Sequence, residues 1–298
     1  MKKASFILVA RNDNYCGNSL ERLTNTLNFL GKVLHETGNL ENAECILTDW
    51  CSPNEGLKDC LNLNSHIKSI LKIVIVPKDI GFKYQGESPF SEVHAMNCCF
   101  RRMSGKYFLR IDQDTLVGYR FVNWFFNEFG EKSLGFTWPK AGFSGRRNLS
   151  KKQTPKYKKI ILNKKTSRQA KVFHPHNYYN LIDANGTIFT FFGAAVGVML
   201  IERDIYEEEK GFNEDMVYMN QMDVEFFNRL IIKTPIYNIS QKTNCDFYHQ
   251  FHEIPGSDNP SLKRPKNSIL FRNKPFKNSN DDNWGLKNED LEVFTYVK

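Results

Sequence analysis

The chain of 298 residues lacks any apolar run near the ~18 residues that a membrane-spanning helix needs. Its seven cysteines (Cys16, Cys45, Cys51, Cys60, Cys98, Cys99 and Cys245) form no Cys-x-x-Cys pair and no metal-finger spacing. An odd number without a framework excludes a disulfide-stapled secreted scaffold and favours a reducing compartment. The apolar start Ala4–Ala10 is too short for a signal peptide, and no small-residue cleavage site follows it. The expectation is a soluble, cytoplasmic protein. No internal repeat and no RNA-binding signature occur. Nor does a glycine-rich phosphate loop follow the first apolar run, which continues as Arg11-Asn12-Asp13-Asn14-Tyr15; that weighs against a nucleotidyltransferase. Finally, Pro139–Pro175 has no acidic residue but holds twelve Lys and Arg, more than the net charge of +8 of the whole chain. The remainder is therefore mildly acidic. Such a stretch reads as a mobile, solvated loop, or as a seat for an anionic partner.

What is present is ordinary globular composition, 41% hydrophobic and 25% charged, enough for one large α/β domain or two small ones. Ser5–Ala10 is continuously apolar, as in a strand covered on both faces. Leu20, Leu23, Leu27, Leu30 and Leu34 follow at helical spacing, with Ser19 and Gly38 as start and stop. Further strands are predicted at Glu44–Thr48, Leu71–Val76 and Gly105–Asp114, the last ending in two acids, with helices at Leu57–Leu63 and Phe90–Met103. Strands alternating with helices predict a mostly parallel sheet. Later, Phe121–Phe129 reads as an aromatic core helix, Asp223–Ile232 as a helix with a surface Glu225–Arg229 pair, and Ile236–Ile239 as a strand. The tail beyond Glu253 reads as loop, with Trp284 and Phe294 as docking anchors.

Polar and charged residues gather where the strands end: Arg11 and Asp13, Asp49, Lys78 and Asp79, then Asp112 and Asp114. That edge is where open α/β sheets bind ligands. In Phe108-Leu109-Arg110-Ile111-Asp112-Gln113-Asp114, Arg110 is the one break in an apolar strand. Alternate residues of a strand share a face, so Asp112 and Asp114 are expected to point the same way. Two carboxylates there suit a hard divalent cation, which can neutralise a diphosphate leaving group.

The order of motifs resembles that of GT-A glycosyltransferases, in particular the large inverting family 2. The resemblance runs over roughly residues 4 to 255. It rests on Phe6–Asp13, Thr48-Asp49-Trp50-Cys51-Ser52, His94-Ala95-Met96-Asn97, Gly105-Lys106-Tyr107, Asp112-Gln113-Asp114, Phe192-Gly193-Ala194-Ala195, Gly211-Phe212-Asn213-Glu214 and Met222-Asp223-Val224-Glu225. It implies a Rossmann-like GT-A domain at 1–255, the basic stretch at 139–175 as an insertion, and a C-terminal extension at 256–298. It further implies a nucleotide-sugar site at Arg11, Asp13, Asp49, Asn97, Asp112 and Gly193. By the same resemblance Asp112, Asp114 and a late histidine, His249 or His252, hold Mn²⁺ or Mg²⁺, and Asp223 is the base. Met222 stands where the family often has Glu, and Met96 where a basic residue is frequent. The implied activity is metal-dependent, inverting transfer of a hexosyl or N-acetylhexosaminyl group. The donor is a UDP-sugar rather than a GDP-sugar, and the acceptor a hydroxyl, as on a glycan. The alternatives are a non-catalytic nucleotide- or polyanion-binding protein and a nucleotidyltransferase; no nucleic-acid partner is expected.

Overall fold

The structure, a computed structural model, describes residues 2–129, 141–144, 147–148, 178–182, 188–192, 198–218, 221–233, 236–238, 247–252, 266–273 and 278–296. Strand β1 (Ala4–Ala10) leads through a polar loop to helix α1 (Ser19–Glu36). Strand β2 (Ala43–Trp50), short helices α2 (Leu57–Cys60) and α3 (Ser65–Lys68), and strand β3 (Leu71–Val76) follow. Helices α4 (Lys78–Gln85) and α5 (Glu92–Arg101) precede strand β4 (Tyr107–Ile111) and the short strand β5 (Thr115–Val117). The predicted aromatic helix is α6 (Tyr119–Asn123) continued by one wider turn, Trp124–Glu128. Its Phe121, Phe125 and Phe129 are buried, as expected of core.

Beyond it lie strands β6 (Ala141–Ser144), β7 (Arg147–Asn148), β8 (Tyr178–Ile182), β9 (Ile188–Phe192) and β10 (Val198–Glu202). Helices α7 (Arg203–Glu208) and α8 (Met222–Lys233), strands β11 (Ile236–Asn238) and β12 (Phe247–His249), helix α9 (Lys266–Asn273) and strand β13 (Glu292–Thr295) complete the described chain.

The main sheet runs β11-β6-β10-β4-β1-β2-β3-β13. Its centre, β3-β2-β1-β4, is parallel, while β10 and β13 run antiparallel to their neighbours β4 and β3. Every residue of β1 and β2 is buried because both faces are covered. Phe6, Leu8 and Ala10 pack with Leu23, Leu27 and Leu30 of α1 on one face. Ile7 and Val9 pack with Val93, Cys99 and Phe227 on the other. Gly105 lets β4 close on β1: a side chain there would meet Ser5 and Ala4 within 2.7 Å. Its N–H donates to Ser5 Oγ and Glu44 Oε1.

Two expectations change. The basic stretch is not loop throughout, since Ala141–Ser144 sits inside the sheet between β10 and β11; small and apolar Ala141, Gly142 and Phe143 interrupt the lysines there. The rest of that stretch, apart from 147–148, lies outside the described residues. Nor is the tail loop throughout its described residues. It adds β13 to the sheet edge and buries Trp284, which stacks on Phe100 at 5.3 Å under the guanidinium of Arg101. Among the described residues no helix is long and apolar enough to cross a membrane.

Candidate active site at the switch point of the sheet

From β1 the chain builds outward to β2 and β3, then returns to place β4 on the other side of β1. This reversal opens a crevice at the C-terminal ends of β1 and β4, the place where such sheets take ligands. β1 delivers Arg11–Asn18 to it, and β4 delivers Asp112–Asp114.

Asp114 meets the end of the chain's last short sheet. β12 pairs with β5, with His249 opposite Thr115, and the Gln250 N–H donates to the Asp114 carbonyl at 2.9 Å. His249 Nε2 thereby lies 3.2 Å from Asp114 Oδ1, and His252 Nε2 lies 3.4 Å from Oδ2. One ligand atom from each of the three residues falls within 4.8 Å of the others. Both late histidines therefore reach the acid, where sequence left a choice between them. A carboxylate with two imidazoles is a donor set that suits Mn²⁺ and other first-row divalent ions.

Asp112 takes no part in that cluster, and the two acids do not point the same way. The strand ends at Ile111, and the Thr115 N–H donates to the Asp112 carbonyl, so the acids lie in a turn where strand alternation no longer holds. Asp112 instead pairs with Arg110 at 3.2 Å.

Arg110 is the residue whose role sequence reading missed, although a charge inside an apolar strand was the visible signal. It is buried, and its guanidinium also binds Glu92 of α5 at 2.5 Å and Asp223 at the start of α8. Burial works against its charge, but Asp223, Glu92 and Asp112 outweigh that and hold the guanidinium above its ordinary range. Arg22 was missed as well, since a charge on a helix gives no signal. It is 2% exposed, with Nε 3.8 Å from Asp114 Oδ2. Its guanidinium also donates to the carbonyls of Tyr15 and Gly17. It balances the buried carboxylate while holding a loop in which Asn14, Cys16, Gly17 and Asn18 all have positive φ.

The other site residues divide. Arg11 pairs with Asp13 at 3.1 Å on the crevice side of β1, and both remain partly exposed. Asp49 is buried: its carboxylate accepts from Ser52 Oγ and the Leu57 N–H, and Ser52 Oγ accepts from the Asn12 N–H. Asp49 thus ties the β2 loop to the β1 loop, and burial raises its carboxyl despite those bonds. Asn97 is used within the fold. It is fully buried, donates to Phe212 O and Glu214 Oε1, and accepts from Tyr206 and the Phe212 N–H. Three of its four bonds hold the Gly211–Glu214 turn, and the fourth ties it to Tyr206 of α7. Gly193 lies outside the described residues.

Beside that turn sits a buried titratable pair. Burial lifts Glu214 to about 7, against hydrogen bonds from Asn97 and the Gly285 N–H, and pushes His94 down to about 4. Their Oε2 and Nε2 are 3.7 Å apart.

This α/β architecture, a mainly parallel sheet flanked by helices with a carboxylate–imidazole cluster at its switch point, has the fold of glycosyltransferases. The particular likenesses are to S. aureus TarS. Residues 1–349 of TarS with UDP-GlcNAc superpose at a TM-score of 0.52 and 12% identity, covering 85% of this chain and 60% of that one. The same fragment with UDP gives 0.52 and 14%, covering 84% and 60%. The chain thus spans about 60% of the length of these structures, and the likeness is one of fold. No protein-family model matches the sequence, and no curated protein sequence matches it.

Proposed function

We propose that this chain is a metal-dependent, inverting glycosyltransferase that moves a hexosyl or N-acetylhexosaminyl group from a UDP-sugar to a hydroxyl, as on a glycan. The observation that carries the reading is the meeting of Asp114, His249 and His252 at the switch point of this fold. That TarS was solved with UDP and with UDP-GlcNAc supports UDP over GDP.

Asp114, His249 and His252 each offer one ligand atom to Mn²⁺ or Mg²⁺, with Mn²⁺ favoured by the imidazoles. The bound cation would supply neutralisation of the charge that grows on the diphosphate as the sugar leaves. Arg11 and Asp13 border the nucleoside end, where a carboxylate accepts base N–H or ribose hydroxyl groups. Asp112, turned onto Arg110, is assigned to the ribose side rather than to the cation. Asp223 takes the proton of the acceptor hydroxyl on the face opposite the leaving group. One of its oxygens is anchored by Arg110, and the other has no partner among the described residues.

Titration calorimetry with UDP and with GDP, each with and without Mn²⁺, tests this reading. UDP is expected to bind in a metal-dependent manner, and Asp114→Ala to lose that binding. Asp223→Ala is expected to keep binding and lose sugar transfer. Absence of nucleotide binding under all conditions, or equal binding after chelation, overturns the metal-dependent reading.

A further inference from the structure

Replacing a buried ion cluster by apolar side chains is often neutral or stabilising, so such a cluster is weak support for a purely structural role. Arg110 is a strong instance. Phe108, Leu109 and Ile111 around it are buried and apolar, and an apolar residue would suit the strand. Its Nε–H is buried with no hydrogen-bond partner among the described residues, so the side chain is not there to complete the backbone's bonding. What it does complete is a bridge between separate elements. One nitrogen holds Asp223 Oδ1, and the other holds Glu92 at 2.5 Å and Asp112 at 3.2 Å. The bridge joins the N-terminus of α8 to the turn that carries Asp114.

We propose that Arg110 is a positioning residue. It holds the candidate base Asp223 by one oxygen and the donor-side turn by Asp112, and so sets the acceptor side of the cleft in register with the donor side. Asp223 Oδ2, left open by this grip, faces the acceptor hydroxyl. Glu92 holds the guanidinium from α5. This rests on the glycosyltransferase reading above, and on Asp223 as its base. Arg110 does not touch the nucleotide, and the turn that carries Asp112 is also held by the Thr115 N–H, so its removal acts chiefly on the rate of transfer rather than on donor binding. Misplacing a reacting group by about 1 Å costs on the order of 100-fold in rate.

The experiment is a cycle of Arg110→Gln, Asp223→Asn and the double variant, read by UDP-sugar transfer and by calorimetric binding of UDP with Mn²⁺. Arg110→Lys is measured beside Arg110→Gln, because it keeps the buried charge if the neutral variant fails to fold. The expected result is a fall in kcat of about 100-fold for Arg110→Gln, a smaller fall for Arg110→Lys, and UDP affinity within about threefold of wild type. The double variant is expected to be no slower than Asp223→Asn alone, because Arg110 acts through that residue. Multiplying losses in the double variant, or a raised donor KM at unchanged kcat, overturns the proposal while leaving the glycosyltransferase reading standing. A wild-type protein that neither binds UDP nor transfers sugar overturns both.

Discussion

Asp114 serves two masters at the residue scale: its carboxylate faces two imidazoles on one side and the Arg22 guanidinium on the other. Removing either imidazole leaves a two-ligand site. His249→Ala and His252→Ala are each expected to weaken Mn²⁺ binding by more than about tenfold, as perturbed metal sites do. Titrating the free-Mn²⁺ electron paramagnetic resonance signal measures this, and an unchanged affinity in either variant removes that histidine from the site. Glu214 gives a pH prediction. Its carboxyl rises from 4.5 to about 7 on folding, so between those values the unfolded chain loses its proton first and stability falls as pH rises. His94, lowered from 6.5 to about 4, has the opposite sign: stability falls as pH drops through that window. The two offset each other where they overlap. Of this pair, only the histidine's dependence remains in Glu214→Gln. The variant is expected to gain on wild type as pH rises from 4.5 to 7, by roughly 1–3 kcal/mol, and then to hold that gain. Denaturant melts at pH 4.5, 6 and 8 read it; a pH-independent difference sinks it.

At the scale of elements, helix α8 is placed by its far end. Arg229 binds Glu225 at 2.7 Å, Glu209 at 3.1 Å and the carbonyl of Gly211 at 2.7 Å. The i,i+4 pairing of Glu225 and Arg229 was legible from spacing, but its burial was not. A helix shows which residues are neighbours along it, whereas what covers them is decided by elements distant in sequence. Arg229→Met strands two buried carboxylates, and breaking such a pair costs about 3–5 kcal/mol. Because α8 carries Asp223, the same variant is expected to lose transfer activity in proportion to its disorder at 25 °C. Urea denaturation gives the cost, and a loss below about 1 kcal/mol marks the cluster as dispensable. Asn97 teaches the converse lesson. Its place in a family-like motif suggested a ligand contact, yet its four hydrogen bonds pin the Gly211–Glu214 turn and tie it to Tyr206.

For the whole molecule, the tail expected to be an extension is fastened to the core. Asn278 and Asn280 donate to carbonyls of the 209–212 turn, Trp284 fills a slot beside Phe100 and Tyr206, and β13 covers the edge of β3. Trp284→Ala is expected to cost about 4 kcal/mol, the usual toll of emptying a large aromatic site. Chemical denaturation checks it, and a cost under about 1 kcal/mol would show the tail to be peripheral to the fold.

Hydrophobic periodicity by itself determined the alternation of strands and helices, the fully covered central strands and the gathering of acids at one edge. These depend on local spacing, which a linear reading contains. Tertiary structure alone decided which acids meet which partners. Pairing of β12 with β5 brings His249 and His252 across more than a hundred residues to Asp114, and the turn after Ile111 parts Asp112 from its neighbour. Charge inside a fold is compensated by whatever lies close in space, and closeness between distant segments is set by sheet order and register rather than by the order of the chain.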